Sequence, residues 1–226
     1  MIGVIVAMGR ELELVVSQMT SCERVSIGAI EYVRGEMNGR QVVVAQSGIG
    51  KVCSALCASE MISLFEPTVV INTGVAGGLD SSLRVMDVVV GRETTYHDAW
   101  CGDGNVWGQI QGLPARFGAD ERLYNVAMAC HSRVTLHGGL ICSGDCFITS
   151  CEELNLMKAR FEEVLAVDME SNSIAQVCHL KGVPFLSVRV ISDTPGVDNH
   201  DAQYEDFWSE APQTTFEVLR QIVAAC

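Results

Sequence analysis

The sequence predicts an α/β fold: one domain over residues 1–226, with a mixed central β-sheet flanked by helices. Three observations predict it. Apolar runs of strand length alternate with segments of helical spacing along the whole chain, the pattern of a sheet covered by helices. A chain of 226 residues is of a size that α/β folds often form as one domain. Two apolar runs end in carboxylates, Ala166-Val167-Asp168-Met169-Glu170 and Val188-Arg189-Val190-Ile191-Ser192-Asp193. That is the signature of buried strands delivering acids to a sheet edge, and in open α/β sheets ligands bind outside the carboxyl ends of the strands.

Taken in order, Ile2–Ala7 reads as a buried strand and Glu11–Met19 as a helix. Arg24–Ile27, Tyr32–Met37 and Gln41–Gln46 read as strands, with turns at Gly28 and at Asn38-Gly39, an Asn-Gly hairpin signal. Gly48-Ile49-Gly50 opens a helix to about Leu64, its apolar residues Val52, Leu56, Met61 and Leu64 near helical spacing. Val69–Thr73 is the next strand, and Gly74-Val75-Ala76-Gly77-Gly78 is expected to be a glycine-rich turn ahead of the strand Val85–Val90. From His97 to Gly118 no period is visible, and loops of such length tend to be functional or disordered. Then come a helix from Asp120 to about Cys130, a strand at Gly139–Cys142, a helix at Glu152–Arg160 and a strand at Val164–Asp168. Ser171–Leu180 reads as a helix, Pro184–Ile191 as a strand, and a helix from about Tyr204 to Ala224 closes the chain.

Composition narrows the function. With 28 acidic against 15 basic residues the net charge is −13, which disfavours the basic footprint that nucleic-acid binding needs. No apolar run approaches the ~18 residues of a membrane span, and no basic region precedes the first apolar stretch, so neither a membrane partner nor a signal peptide is expected. The ten cysteines show no zinc-ligand spacing and read as reduced structural thiols, which points to the cytoplasm. No metal and no cofactor is expected.

The chemistry rests on carboxylates. Glu170 and Asp193 close two strands, and Glu11 follows the first strand through Met8-Gly9-Arg10. Each also has a plain structural use: Glu11 at a helix start complements the dipole, Glu170 can cap the next helix, and Asp193 can initiate the turn Asp193-Thr194-Pro195-Gly196. Their shared position at strand ends favours acid/base work in one pocket. Arg189 is a cation inside an apolar run, and a buried arginine needs an anionic partner, for which a strand-end glutamate is suited. The glycine-rich run 74–78 could cradle a phosphate through backbone N–H groups, but it and Ser47-Gly48-Ile49-Gly50-Lys51 match neither G-x-G-x-x-G nor a P-loop, and the tight-turn reading of both is preferred. The five histidines form no ligand pattern; His97-Asp98, opening the long loop, is either structural or pocket-lining, with the structural reading preferred.

These runs also occur in a recognisable register. Met1–Glu11, Ser47-Gly48-Ile49-Gly50-Lys51, Asn72-Thr73-Gly74-Val75-Ala76-Gly77-Gly78, Tyr96-His97-Asp98, Ser143-Gly144-Asp145-Cys146-Phe147-Ile148, Asp168-Met169-Glu170 and Arg189-Val190-Ile191-Ser192-Asp193 together resemble the bacterial 5′-methylthioadenosine/S-adenosylhomocysteine nucleosidases of the nucleoside phosphorylase superfamily. The resemblance implies a homodimer acting on a small-molecule nucleoside, a 5′-thio-substituted adenosine, by hydrolysis of its N-glycosidic bond. Carried over by position, it makes Asp193 the general acid at N7 of adenine, Glu11 the general base on water, and Glu170 the ligand of the ribose hydroxyls. Arg189 then organises the water site, and Ser192 belongs to the same substrate-binding set. Phe147 stacks on adenine, the backbone of Ile148 bonds the base, Met169 packs beneath the ribose, and Met8, Ile49 and Phe207 line the 5′ pocket.

Two departures stand out: Val75 replaces a serine often found in the family, and the segment from Trp100 to Trp107 is shorter and more polar than the usual 5′-pocket loop. Trp107 falls where the family usually has a tyrosine. Two rivals remain. A phosphorylase on the same fold would carry an arginine at Asn72 and a hydroxyl near Val75, and Arg10 is the one residue in its favour. A non-catalytic nucleoside binder would not need all of Glu11, Glu170 and Asp193.

Overall fold

In the computed structural model, residues 1–194, 203–205, 207–208 and 216–226 are described. In chain order they form β1 (Ile2–Val6), α1 (Gly9–Val16), β2 (Thr20–Ile27), β3 (Ile30–Met37), β4 (Arg40–Gln46), α2 (Lys51–Phe65), β5 (Val69–Gly78) and β6 (Val88–Tyr96). There follow β7 (Phe117–Gly118), α3 (Glu121–Met128), β8 (Leu136–Ser143), α4 (Cys151–Arg160), β9 (Val164–Asp168), α5 (Ser171–Lys181), β10 (Phe185–Asp193) and α6 (Glu217–Ala225). The expected strand–helix alternation is present. The expected closing helix lies partly outside the described residues, as does the turn after Thr194.

The sheet is mixed, as expected, and it closes on itself at one end. β2, β3 and β4 form an antiparallel meander. β4, β1, β5 and β10 then run parallel. β10 pairs antiparallel with β6, β6 parallel with β8, and β8 parallel with β9. β9 returns to β5 through Gly77 opposite Val167 and Gly78 opposite Ala166, so β5, β10, β6, β8 and β9 make a ring. Its interior is filled by one buried residue from each strand: Ala76, Ile191, Val89, Ile141 and Ala166. Ring closure removes the edge at that end of the sheet, and β2 is the edge strand at the other.

Alternation along the strands distributes the rest of the core. Val4 and Val6 face a cluster with Leu12 and Val15 of α1, Leu123 and Ala127 of α3, and Val218, Leu219, Ile222 and Val223 of α6. Ile5, between them in sequence, faces the opposite side with Cys57 and Met61 of α2 and Ile174 and Cys178 of α5. Burial pushes the Cys57 and Cys178 thiols up to about 12, so both are inert packing groups.

One expectation is corrected. Gly74-Val75-Ala76-Gly77-Gly78 is not a turn but the second half of β5, paired with β10 and β9. Its glycines serve close approach: a Cβ at Gly78 would lie 2.9 Å from Ile191 Cγ2, and one at Gly74 (φ +150°) would overlap the Glu11 carboxylate and lie 2.7 Å from Arg189 Nη1. β10, buried along all nine residues, carries a bulge between Ile191 and Asp193 where it faces β5. Bulges of this kind re-aim side chains beside sites, and this one sets the position of Asp193.

Candidate active site

A cleft of about 650 Å³, including the open space at its mouth, lies where β1, β5, β9 and β10 end. Glu11, in the first turn of α1, folds back on the N-terminus of its own helix. Its Oε2 accepts the N–H groups of Ala7 and Met8, each at 2.9 Å, and its Oε1 that of Val75 at 3.1 Å. The carboxyl is 1% exposed. Burial raises its pKa, and the charge of Arg189 and the three backbone donors offset part of that rise.

Arg189 lies across the base of the cleft, also 1% exposed. Its Nε is 2.8 Å from Asp168 Oδ2 and 3.2 Å from Ser171 Oγ, and its Nη2 donates to Asn72 Oδ1 at 2.5 Å. Glu170 Oε2 stands farther off, at 3.5 Å. The anionic partner foreseen as a strand-end glutamate is therefore Asp168 first and Glu170 second. Asp168 is itself satisfied by Ser143 Oγ at 2.5 Å, by Ser171 Oγ and by the N–H groups of Glu170 and Ser171 at 3.2 Å each. Asn72 is held by its own donation to the Ile5 carbonyl at 3.0 Å.

Glu170, 5% exposed, accepts the N–H of Gly50 on Oε1 at 3.0 Å. Its pKa is pushed up to about 7, first by burial. Arg189 and the Gly50 N–H pull it down, while the neighbouring charges of Asp168 and Glu11 push it further up. Asp193, 2% exposed, accepts from Ser192 Oγ at 2.6 Å, and that hydroxyl also lies 3.4 Å from the Ala76 carbonyl.

Around these polar groups the cleft is lined by Met8, Ile49, Val75, Phe147, Ile148 and Met169. Ten of the eleven residues singled out in the sequence thus share one cleft: Glu11, Glu170, Asp193, Met8, Ile49, Phe147, Ile148, Met169, Arg189 and Ser192. Phe207 is the exception. It is 4% exposed and packs into the core cluster of α1, α3 and α6. Tyr204, one helical turn earlier, reaches the cleft instead, its hydroxyl 3.5 Å from Met8 Sδ and its ring edge-on to Phe147 at 6.1 Å. A phenol keeps a polar tip at a wet surface, whereas the wholly apolar phenylalanine is the residue to bury.

Sequence reasoning passed over Asp168, Ser171 and Tyr204, and the backbone N–H groups of Val75 and Gly50. Asp168 had a signal, a carboxylate at a strand end beside Glu170; Tyr204 had none. His97 is buried, as the structural reading expected, with its pKa lowered by desolvation. Trp107 folds onto its own chain. Its indole N–H donates to the His97 carbonyl at 2.8 Å, and its ring is stacked with Trp100 and covered by the Arg160 guanidinium at 3.5 Å.

The model of the phosphorylase superfamily matches residues 1–224. A 5′-methylthioadenosine/S-adenosylhomocysteine nucleosidase of Actinobacillus succinogenes is 42% identical over 226 residues, 99% of this chain and 98% of that protein. The crystal structure of the nucleosidase of the same name from Neisseria meningitidis, in complex with methylthio-immucillin-A, superposes with a TM-score of 0.95 at 38% identity, covering 100% of this chain and 99% of that one. The Streptococcus pneumoniae enzyme of that name, with the transition-state inhibitor MT-ImmA, gives a TM-score of 0.94 at 32% identity over 99% and 98% of the two chains.

The charge balance at Glu170 predicts an unusual stability effect. Its folded-state pKa of about 7 lies above the ordinary 4.5, so folding favours the protonated form. The stability this contributes is full below about 4.5 and is lost as pH rises through about 7. Glu170→Gln, uncharged at every pH, is expected to be more stable than the wild type at pH 8, by up to about 3 kcal/mol, and so to melt higher. The gap should close on acidification. Thermal melts of both proteins between pH 5 and 8 check this, and a variant less stable at pH 8 would show that the Glu170 charge is well paired.

Proposed function

The chain belongs to the phosphorylase superfamily, and from that premise we propose that it hydrolyses the N-glycosidic bond of 5′-thio-substituted adenosines, methylthioadenosine and adenosylhomocysteine among them. The products are adenine and the free ribose derivative, so the enzyme serves methionine salvage and clears by-products of adenosylmethionine chemistry. One observation carries the choice of water over phosphate. Arg189 is the cation among the described residues lining the cleft, and it is already matched by Asp168 at 2.8 Å and by Glu170 at 3.5 Å. Glu11 adds a further buried carboxyl beside it. A phosphate dianion would enter a region of surplus negative charge; a neutral water would not. Asn72, where a phosphorylase would carry an arginine, is consumed as a ligand of Arg189.

In this reading Asp193 protonates or hydrogen-bonds N7, so that the electrons of the breaking C1′–N9 bond pass to a neutral leaving group. Glu170 accepts from the ribose hydroxyls, and its charge offsets that of the oxocarbenium-like ribose. Glu11, fixed by three backbone donors, takes a proton from the water that attacks C1′ on the opposite face. Arg189 acts through Glu170 and Glu11, limiting how far burial raises both carboxyls. Phe147 stacks on the base, Ile148 bonds it through the backbone, and Met169 supports the ribose. Met8, Ile49 and Tyr204 form the 5′ side.

The same reading includes a homodimer. The outward side of α2 carries Val52 and Leu56, 78% and 54% exposed, with Ile49 and Phe147 of the cleft mouth also more than half exposed. Large apolar side chains left exposed mark an interaction site when they gather on one face, and a second copy of the chain would cover these and shelter the cleft mouth. Among the described residues no helix is long and apolar enough to cross a membrane, and none of the ten cysteines forms a disulfide. Residence in the cytoplasm fits both.

Adenine release from methylthioadenosine in phosphate-free buffer tests the reaction. Full release giving free methylthioribose is expected, whereas release only on adding phosphate, with the ribose 1-phosphate as product, would make the enzyme a phosphorylase. Asp193→Asn is expected to lower kcat by about 10²–10⁴-fold with an unchanged melting temperature; near-normal turnover would remove Asp193 from its role. Light scattering is expected to give twice the chain mass, and Val52→Glu with Leu56→Glu to give the monomer. A monomeric wild type would contradict the dimer.

A further inference from the structure

The N-terminus of α2 holds two carboxylates that come from elsewhere in the chain. A helix leaves its first N–H groups without intrahelical partners, and here the N-cap residue Gly50 (φ +93°) has no side chain to supply one. Asp145 Oδ1 accepts the N–H of Lys51 at 2.8 Å, and Glu170 Oε1 accepts that of Gly50 at 3.0 Å. The two acids therefore sit on successive amides at the positive end of one helix dipole. Asp145 immediately precedes Cys146, Phe147 and Ile148, which line the cleft, while Glu170 is the ribose-binding carboxylate of the proposed reaction.

A second set of bonds locks Asp145 in place. Asp98 Oδ2 accepts both Lys51 Nζ at 2.7 Å and the backbone N–H of Asp145 at 2.9 Å, and Lys51 Nζ lies 3.8 Å from Asp145 Oδ2. The pKa of Asp98 is lowered: burial would raise it, but Lys51 and the Asp145 N–H outweigh burial, so it stays ionised. The Lys51 and Asp98 side chains are 28% and 26% exposed, half-sheltered from the screening that weakens surface pairs. The packing also requires bare backbone at two points. A Cβ on Gly50 would lie 2.8 Å from Asp145 Oδ1, and one on Gly144 would overlap the His97 ring and lie 2.9 Å from Asp98 Cγ. None of Lys51, Asp98 and Asp145 lines the cleft, so any effect on catalysis passes through the residues they hold.

We propose that Asp145, locked by Lys51 and Asp98, is a positioning residue that couples the seating of the base to the alignment of Glu170 through the shared N-terminus of α2. The proposal rests on the nucleosidase reading of the cleft. The bond from Lys51 N–H holds Asp145, and with it the loop carrying Phe147 and Ile148, in the position that seats adenine, while the adjacent Gly50 N–H holds Glu170 for the ribose.

The test uses the full chain with Asp145→Ala, Asp145→Asn and Lys51→Met. It reads melting temperature, adenine affinity by calorimetry, and kcat and KM with methylthioadenosine. Asp145→Ala is expected to weaken adenine binding and raise KM about tenfold each, with a fall in kcat, while the fold persists. Asp145→Asn, whose amide oxygen still accepts from Lys51 N–H, should recover most of the binding. Adding Lys51→Met to Asp145→Ala should cost little more than Asp145→Ala alone, because both act on one loop. Unchanged adenine affinity and KM in folded Asp145→Ala would overturn the proposal. So would loss of melting temperature with an unaltered KM in the surviving enzyme, or failure of Asp145→Asn to rescue. A wild type that binds adenine but releases none would sink the nucleosidase reading instead, and adenine affinity across the variants would still decide the role of Asp145.

Discussion

Arg189 carries a permanent charge with 1% of its side chain exposed, and the pairing of that charge with Asp168 at 2.8 Å is the constraint on which the site depends. Removing one partner of a buried ion pair typically costs about 3–5 kcal/mol, because the other charge is left uncompensated. Here the pair ties β10, through Arg189, to the end of β9, through Asp168, and Ser171 and Asn72 extend the network into α5 and β5. Each member is satisfied by another: Ser143 and Ser171 bond Asp168, and the Ile5 carbonyl holds Asn72. The same pairing determines the chemistry. Burial raises the pKa values of Glu170 and Glu11, and a guanidinium shared with Asp168 and Asn72 offsets only part of that rise.

The strand register follows from the same requirement. Arg189 lies opposite Gly74 in the β5–β10 ladder, and the missing Cβ of Gly74 leaves the space that the Glu11 carboxylate and the Arg189 guanidinium share. Past that point the bulge between Ile191 and Asp193 shifts β10 against β5. Closing the sheet into a ring brings β9 against β5, so that Asp168 at its end and Glu170, at the N-cap of α5, meet Arg189 from a part of the chain that is distant in an open sheet order. A flat arrangement of the same strands would not gather these groups.

Much of this was legible in the sequence, and the failures have physical reasons. Continuous apolar runs located β1, β5, β9 and β10 because buried strands need no polar face. The carboxylates at their ends marked the cleft because that is where side chains leave the sheet. An arginine in an apolar run announced an anionic partner, yet which acid would serve depends on how β9 meets β5 and β10, a long-range pairing that no local pattern encodes. The run 74–78 resembles a turn in sequence because glycine usually supplies conformational freedom; here Gly74 and Gly78 make room for neighbouring side chains within a strand. Phe207 packs into the core and Tyr204 reaches the cleft, because both are aromatic and only packing decides which is buried.

The central claim, that partly compensated buried carboxyls around Arg189 carry the reaction, is tested most directly by the pH dependence of kcat/KM for methylthioadenosine. Glu170, raised to about 7 in the free enzyme, must be ionised to accept the ribose hydroxyls and offset the cationic ribose. The profile is therefore expected to fall as pH drops through about 7, approaching tenfold per unit, and to lose that limb in Glu170→Gln, which should be slow at every pH. A wild-type profile that stays flat down to pH 5 would contradict it, since the carboxyls would then be ordinary ones and the pairing at Arg189 would not govern the chemistry.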